Sequence, residues 1–250
     1  MMDWKSLIRT NIPLVDMIMN TLLSVSGEDA LPLPAAAAMQ NVIEGTAREL
    51  PDPTPMLRKL WNKKDSVIIV IGRRGSGKTS LSLRLAEWFG RPCYAVGIGQ
   101  EALGNRGRAL EPGELGMLPP ESVLIIDDAG LFFGTRDYAS DASQNLHDLL
   151  ATVRHKQLVI IANTVNTAMI DRYLLDSDLL LIKPVSALHR EAERRHVQKL
   201  LDKATTAINS LPESMKQRFV YAYSDVYDFE GLIEYSLPEG YNDRLSRNKA

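Results

Sequence analysis

Residues 67–79, VIIVIGRRGSGKT, constrain this chain more than any other stretch. Five β-branched residues run into Gly72, Gly75 and Gly77 follow, and Lys78-Thr79 close the pattern. An unbroken apolar run of this length suits a strand buried on both faces. Gly72-Arg73-Arg74-Gly75-Ser76-Gly77-Lys78-Thr79 matches the spacing G-x-x-x-x-G-K-[ST] in full. Such glycines let the backbone curl so that its N–H groups point at phosphate oxygens, with the positive end of the next helix behind them. In that arrangement Lys78 reaches the outer phosphates and Thr79 offers its hydroxyl to a magnesium ion. Residues Gly72 to Thr79, with Ser80 opening the helix, are therefore the candidate nucleotide-binding set. A plain glycine-rich turn would not account for the strand before the motif and the amphipathic helix after it.

The rest of the middle of the chain repeats the rhythm of strand, loop and helix. Apolar runs fall at 67–71, 93–97, 122–127, 157–162 and 178–183. Between them, Leu81, Leu85, Trp88 and Phe89 share one helical face, ended by Gly90 and Pro92, and Ala142, Leu146, Leu149, Leu150 and Val153 share another. Continuous apolar strands alternating with helices predict an α/β fold with a mainly parallel sheet of five or more strands, covered by helices on both sides. The span 99–121, with five glycines and three prolines, reads as a functional or mobile loop.

Two appendages flank this core, dividing the chain into 1–64, 65–184 and 185–250. In the first, Leu14, Val15, Ile18, Met19, Leu22 and Leu23 recur at helical spacing, and Asp16 and Asn20 interrupt the apolar run. That pattern favours an amphipathic helix over a signal peptide. A second helix is expected over PAAAAMQNVIEGTAREL, then a linker, PDPTP. Thr54 is expected to cap a short helix with Pro55 at its first position and Leu57, Leu60 and Trp61 on one face. The C-terminal appendage reads as a charged helix over 186–209, a short helix after Pro212, and a hairpin from RFVYAYS and FEGLIEYSLP, with a polar tail.

Composition enters where it limits function. The net charge of −2 excludes a uniformly basic surface, so any nucleic-acid contact must be local. Cys93 is the single cysteine, so no internal disulfide forms and a reducing compartment suits the chain. No run approaches a membrane span of about 18–20 apolar residues.

A phosphate loop needs a metal anchor on a neighbouring strand. SVLIIDDAG supplies one, with Asp127 and Asp128 at the strand's C-terminal end, where ligands of open α/β sheets bind. Asp127 is the candidate metal residue beside Thr79. Asp128 is placed to act as base toward a water, or else merely caps the next turn. The run LVIIANT ends on Asn163, whose amide at a strand tip could touch the outer phosphate or its water.

In this order and spacing, these elements resemble the additional-strand P-loop ATPases. LPPESVLIIDDAGLFFGTR, a helix ending LLATVRHKQ, and LVIIANT look like the FtsK/HerA branch. They are nearest to zonula-occludens-toxin-like ATPases of filamentous phages and to packaging ATPases of membrane-containing viruses. The likeness covers about residues 66–184. It implies a RecA-like fold in which the strand ending at Asn163 lies between the Walker A and Walker B strands. It implies ATP as substrate with Mg2+, and a ring, usually a hexamer, that moves DNA into a capsid or across an envelope. A capsid or membrane-associated protein partner and a cytoplasmic or virion-associated location go with it. Two positions depart from the pattern: Asp128 stands where most relatives carry Glu, and Asn163 where Gln is common. Arg154, closing the helix after the Walker B strand, is the candidate arginine finger across a subunit interface, with Arg172 and Arg136 as competitors. The other account of Arg154-His155-Lys156 is favourable charge at a helix C-terminus.

Candidate DNA contacts are Arg106 and Arg108, and a stripe of Arg190, Arg194, Lys199 and Lys203 with Arg195 beside it. A salt-laced solvent face explains that stripe better. Arg73 and Arg74 could meet phosphate, a neighbour or only water. Three rival functions stay open: a P-loop kinase, a protein-assembly ATPase without DNA, and a nucleotide-regulated scaffold without turnover.

Overall fold

The computed structural model describes residues 51–132, 149, 151–165 and 177–238. The expected helices of residues 1–50, the positions Arg136, Ala142, Leu146, Leu150 and Arg172, and the polar tail lie outside the described residues.

Eight strands form one sheet: β1 (Ser66–Ile71), β2 (Cys93–Val96), β3 (Arg108–Ala109), β4 (Val123–Ile126), β5 (Val159–Thr164), β6 (Leu179–Ile182), β7 (Phe219–Ser224) and β8 (Phe229–Glu234). Their spatial order is β3-β2-β4-β5-β1-β6-β7-β8. Every pairing from β3 across to β6 is parallel, and β6-β7 and β7-β8 are antiparallel. The fold is thus α/β with a mainly parallel sheet, as the alternating pattern predicts. The segment after residue 184 enters the same sheet: Leu180 faces Tyr223 and Ile182 faces Tyr221 in register.

The apolar runs are continuous because both faces of the sheet are covered. Ile68, Val70, Val123, Ile125, Val159 and Ile161 point to one side, where they meet α1 (Thr54–Asn62) and α2 (Lys78–Phe89) through Leu57, Leu60, Leu81 and Phe89. Ile69, Ile71, Leu124, Ile126 and Ile160 point to the other. The same apolar layer continues through Val197, Leu201, Ala204 and Ile208 of the helix Arg195–Asn209, which packs on β7 and β8. Each fully buried Ile, Leu or Val contributes roughly 1.5–3 kcal/mol, so the central strands are the main source of stability.

Several boundaries differ from expectation. Pro53 holds the cap position of α1 and Thr54 is its first helical residue, with the Asp52 carboxylate just before the cap accepting the Thr54 N–H at 2.9 Å. β5 begins two residues later than its apolar run, because Gln157 takes a left-handed backbone (φ 54°) that closes the preceding helical turn. It then runs on through Asn163 and Thr164. The span 99–121 is built, not open. It holds α3 (Gln100–Leu103), the edge strand β3 and a 3-10 helix, Pro112–Met117, with a capping box between Glu111 and Glu114. The Gln100 side chain pins it, donating to the Gly104 and Gly107 carbonyls, both at 3.0 Å, and accepting from Ala109 N–H at 2.8 Å. After α4 (Ala129–Phe132), the single helix expected over 186–209 is two, α5 (Ala187–Ala192) and α6 (Arg195–Asn209). Glu193 and Arg194 between them are extended, which turns Glu193 inward to a buried position. Among the described residues, no helix is long and apolar enough to cross a membrane.

Candidate nucleotide-binding site

The phosphate loop begins where β1 ends, and both neighbouring strands hold its first residues. Gly72 N–H donates to the Thr164 carbonyl at 3.2 Å, and Arg73 N–H to the Pro184 carbonyl at 2.9 Å. Gly75 (φ 73°) and Gly77 (φ 89°) take the left-handed conformation that side chains resist. A Cβ at Gly72 would lie 2.5 Å from Ser76 Oγ and 2.8 Å from Lys183 Cβ, so only glycine fits. Gly77 opens α2 with no side chain capping its first N–H groups. Those donors carry the positive end of the helix dipole toward the loop.

The loop's side chains sort into two groups. Lys78 is buried and folded across the loop, its Nζ donating to the Gly72 carbonyl at 2.8 Å and the Arg73 carbonyl at 3.2 Å. Thr79 Oγ1 donates to the Asp127 carboxylate, 3.1 Å and 3.2 Å from its two oxygens. Ser76 Oγ is buried without a hydrogen-bond partner. Ser80, by contrast, spends its hydroxyl on the Gly77 carbonyl at 2.9 Å, so its side chain serves the helix and not the cradle. Arg73 and Arg74 are exposed. The Lys216 ammonium holds the exposed Glu213 carboxyl below its ordinary range, with a smaller contribution from Arg73.

Asp127 directly follows β4 and is almost fully buried, its N–H donating to the Val96 carbonyl at 2.9 Å. Its carboxylate also accepts from Asn163 Nδ2 at 2.9 Å, and Asn163 Oδ1 accepts from Ser82 Oγ at 2.6 Å. A chain of contacts therefore runs from Ser82 on α2 through Asn163 on β5 and Asp127 after β4 back to Thr79 on α2. This corrects the expected place of Asn163. It is fully buried, and both ends of its amide are engaged within the protein, so it holds the Asp127 carboxylate instead of presenting a free amide at the loop. Ser82 was not anticipated. The available signal was a small polar residue on the sheet-facing side of an otherwise apolar helix face.

Asp128 follows with φ 53°, in the left-handed region that Asp enters more readily than most non-glycine residues. Arg154 is not brought to the site within the chain. Its side chain is 88% exposed, and its nearest acid is Asp65 at 4.0 Å, next to the start of β1, while the loop is at the strand's far end. Six residues of strand separate the two edges by about 20 Å.

Lys183 was also missed. It directly follows β6, is fully buried, and donates from Nζ to the carbonyls of Gln217 at 2.9 Å and Phe219 at 2.8 Å. Burial pushes its ammonium down from 10.5 to about 8. The apolar run hid it, since one lysine at a strand end reads as solvated.

Among the described residues, no group of three His, Cys, Asp or Glu side chains could hold a metal alone. Thr79 and Asp127 instead form a two-residue anchor. That fits magnesium, which commonly takes one or two protein oxygens together with substrate phosphates and water.

No protein-family model matches the chain, and no curated protein matches it. Solved structures do. The genome packaging NTPase of Sulfolobus turreted icosahedral virus 2, in complex with ATP-gammaS, is similar with a TM-score of 0.51 and 14% identity, over 70% of this chain and 99% of that one. Thermomonospora curvata EccC (ATPases 2 and 3), in complex with a signal sequence peptide, gives a TM-score of 0.50 and 12% identity, over 76% of this chain and 41% of that one. The N-terminal domain of zonular occludens toxin from Neisseria meningitidis gives 0.41 and 15%, over 70% and 95%. At such identities the likeness is one of fold, and the fold is that of P-loop ATPases. Its order places β5 between the loop strand β1 and the Asp127 strand β4, the intervening strand that the sequence resemblance implied.

Proposed function

We propose that this chain hydrolyses ATP with magnesium and couples hydrolysis to movement of nucleic acid, with DNA as the cargo. The observation that carries the ATPase reading is the contact between Thr79 and Asp127, held by Asn163 and Ser82 and followed in the chain by Asp128. Magnesium at Thr79 and Asp127 would offset the charge of the phosphate oxygens. Lys78 would exchange its two loop carbonyls for the outer phosphates, and the open N–H groups of α2 would face them. A water attacks the terminal phosphorus, the bond to the bridging oxygen breaks, and the water's proton passes to Asp128, giving ADP and phosphate. A carboxylate beside the metal pair serves as base in kinases as well, so it is the sequence resemblance to ATPases that supports water as acceptor.

The DNA reading is supported by the sequence resemblance to packaging and transfer motors, with a homo-oligomeric ring, a capsid or membrane-associated partner and a cytoplasmic or virion-associated location as its corollaries. A second reading, an assembly ATPase acting on protein, is favoured by one observation. Several candidate DNA contacts already have acidic partners: Arg106 with Glu87 at 3.5 Å, Arg108 with Glu114 at 3.8 Å, Arg190 with Asp202 at 2.8 Å and Lys203 with Glu230 at 2.8 Å. The test is the ATPase rate with and without DNA, at low and high salt, alongside mass in solution. The DNA reading expects stimulation indifferent to sequence and binding that falls steeply with salt. Equal rates and no DNA binding at low salt would move the assignment to protein cargo.

A further inference from the structure

We propose that Lys183 is a positioning residue for nucleotide binding: its buried side chain fixes the outer side of the phosphate loop to the C-terminal hairpin, β7 and β8. The proposal rests on the nucleotide-binding reading of that loop. The G-x-x-x-x-G-K-[ST] pattern itself does not call for a lysine there.

The backbone around Lys183 brackets the first glycine. Lys183 N–H donates to the Ile71 carbonyl at 2.8 Å, and the next residue, Pro184, accepts from Arg73 N–H at 2.9 Å. The side chain then follows the loop. A Cβ placed on Gly72 would come within 2.8 Å of Lys183 Cβ, and one placed on Gly77 within 3.9 Å of its Cε. The aliphatic stem therefore lies against the loop from its first glycine to its last. Beyond the stem, the ammonium reaches the hairpin, binding the carbonyls of Gln217 and Phe219 at the start of β7 and lying 4.8 Å from the centre of the Tyr235 ring after β8. Tyr235 closes the bracket, since its Oη would be 3.4 Å from a Cβ on Gly77 and its N–H donates to the Arg218 carbonyl at 2.8 Å.

Physical chemistry gives this lysine a reason beyond filling space. Methionine would occupy a similar volume without the cost of burying an ammonium. The lysine adds two directed hydrogen bonds, a cation–π contact and a positive charge on the far side of a cradle meant for a polyanion. An unanchored loop would have to be ordered by the nucleotide at the expense of affinity, whereas an anchored one is ordered beforehand. A residue acting this way changes binding of nucleotide in ground and transition state alike, and so moves KM and not kcat.

The experiment compares wild type, Lys183→Met and Tyr235→Leu for Mg-ATP binding by calorimetry and for steady-state hydrolysis, each well below its own melting temperature. Tyr235→Leu leaves the lysine and its carbonyl bonds in place, and keeps the test available should Lys183→Met not fold. Lys183→Met should raise Kd and KM roughly tenfold or more, Tyr235→Leu should raise them by less, and kcat should stay within about threefold of wild type in both. A lowered melting temperature with wild-type affinity in the folded variants would mean a purely structural lysine and overturn the proposal, as would a kcat loss with KM unchanged. Absence of ATP binding by wild type would instead remove the nucleotide-binding reading itself.

Discussion

At the scale of single residues, Asp128 offers a clean test because of its backbone. Asn tolerates the left-handed angle as well as Asp does, so Asp128→Asn removes the carboxylate charge without adding strain. It should keep ATP affinity and lose about 10²–10⁴-fold in hydrolysis rate, read by calorimetry and phosphate release, and Lys78→Ala should abolish turnover in the same assay. Lys183 makes a prediction about stability and pH. Its folded value, about 8, lies below the ordinary 10.5, so between these values the unfolded chain holds more protons than the folded one. Stability therefore rises as pH climbs from about 8 toward 10.5, and the cost of the buried charge is fully present below pH 8. The gain is up to roughly 3 kcal/mol. Denaturant unfolding of wild type and Lys183→Met at pH 7 and pH 10 should show wild type gaining on the variant at the higher pH. Cys93, whose thiol burial pushes up to about 12, acts in the opposite direction but equally in both chains.

At the scale of elements, the link from α2 to β5 to β4 rests on one amide. Asn163→Ala would leave the Ser82 hydroxyl buried without its partner, which costs about 1–3 kcal/mol, and would free one side of Asp127. The variant should unfold at lower denaturant, and its hydrolysis should need more magnesium for half-maximal rate. This link also marks where sequence reading stops. The strands and the loop were legible, because a run such as Val67–Ile71 admits few structures and the glycine spacing admits few loops. Asp127 beside Thr79 was legible for the same reason. The partners of Asn163 were not, since they depend on which helix face meets which strand across 81 positions of chain. Lys183 was hidden by the same kind of long-range contact. The break between α5 and α6 was invisible because no Gly or Pro marks it. A turn of polar residues, Glu193 and Arg194, makes it, and the inward Glu193 gives it meaning only in the folded chain. In span 99–121 composition showed the glycines but not their uses: Gly104 takes a left-handed angle at a turn, and Gly107 packs closely on the Cys93 carbonyl.

At the scale of the whole molecule, the place of Arg154 has a consequence for assembly. It lies at the edge of the sheet opposite the phosphate loop, so it can serve a nucleotide only in another copy of the chain. Chains carrying Arg154→Ala mixed with chains carrying Lys78→Ala should recover part of the lost ATPase activity, because some interfaces then join an intact loop to an intact arginine. No recovery in mixtures shown to co-assemble would remove Arg154 from the chemistry. The sheet order has a different consequence, for the chain as it is made. β1 lies between β5 and β6, and from Ile71 to Val159 is 88 positions. At about 5–20 residues per second of synthesis, the strand that carries the phosphate loop waits roughly 5–20 s before its first partner exists. During that time Val67–Ile71 is an uncharged β-branched segment of the kind that pairs with other copies of itself. Lys63, Lys64 and Asp65 stand before it and Arg73 and Arg74 after it. Charges flanking an unavoidable hydrophobic strand disfavour such pairing, and the two arginines of the loop stand where that effect operates without any nucleotide.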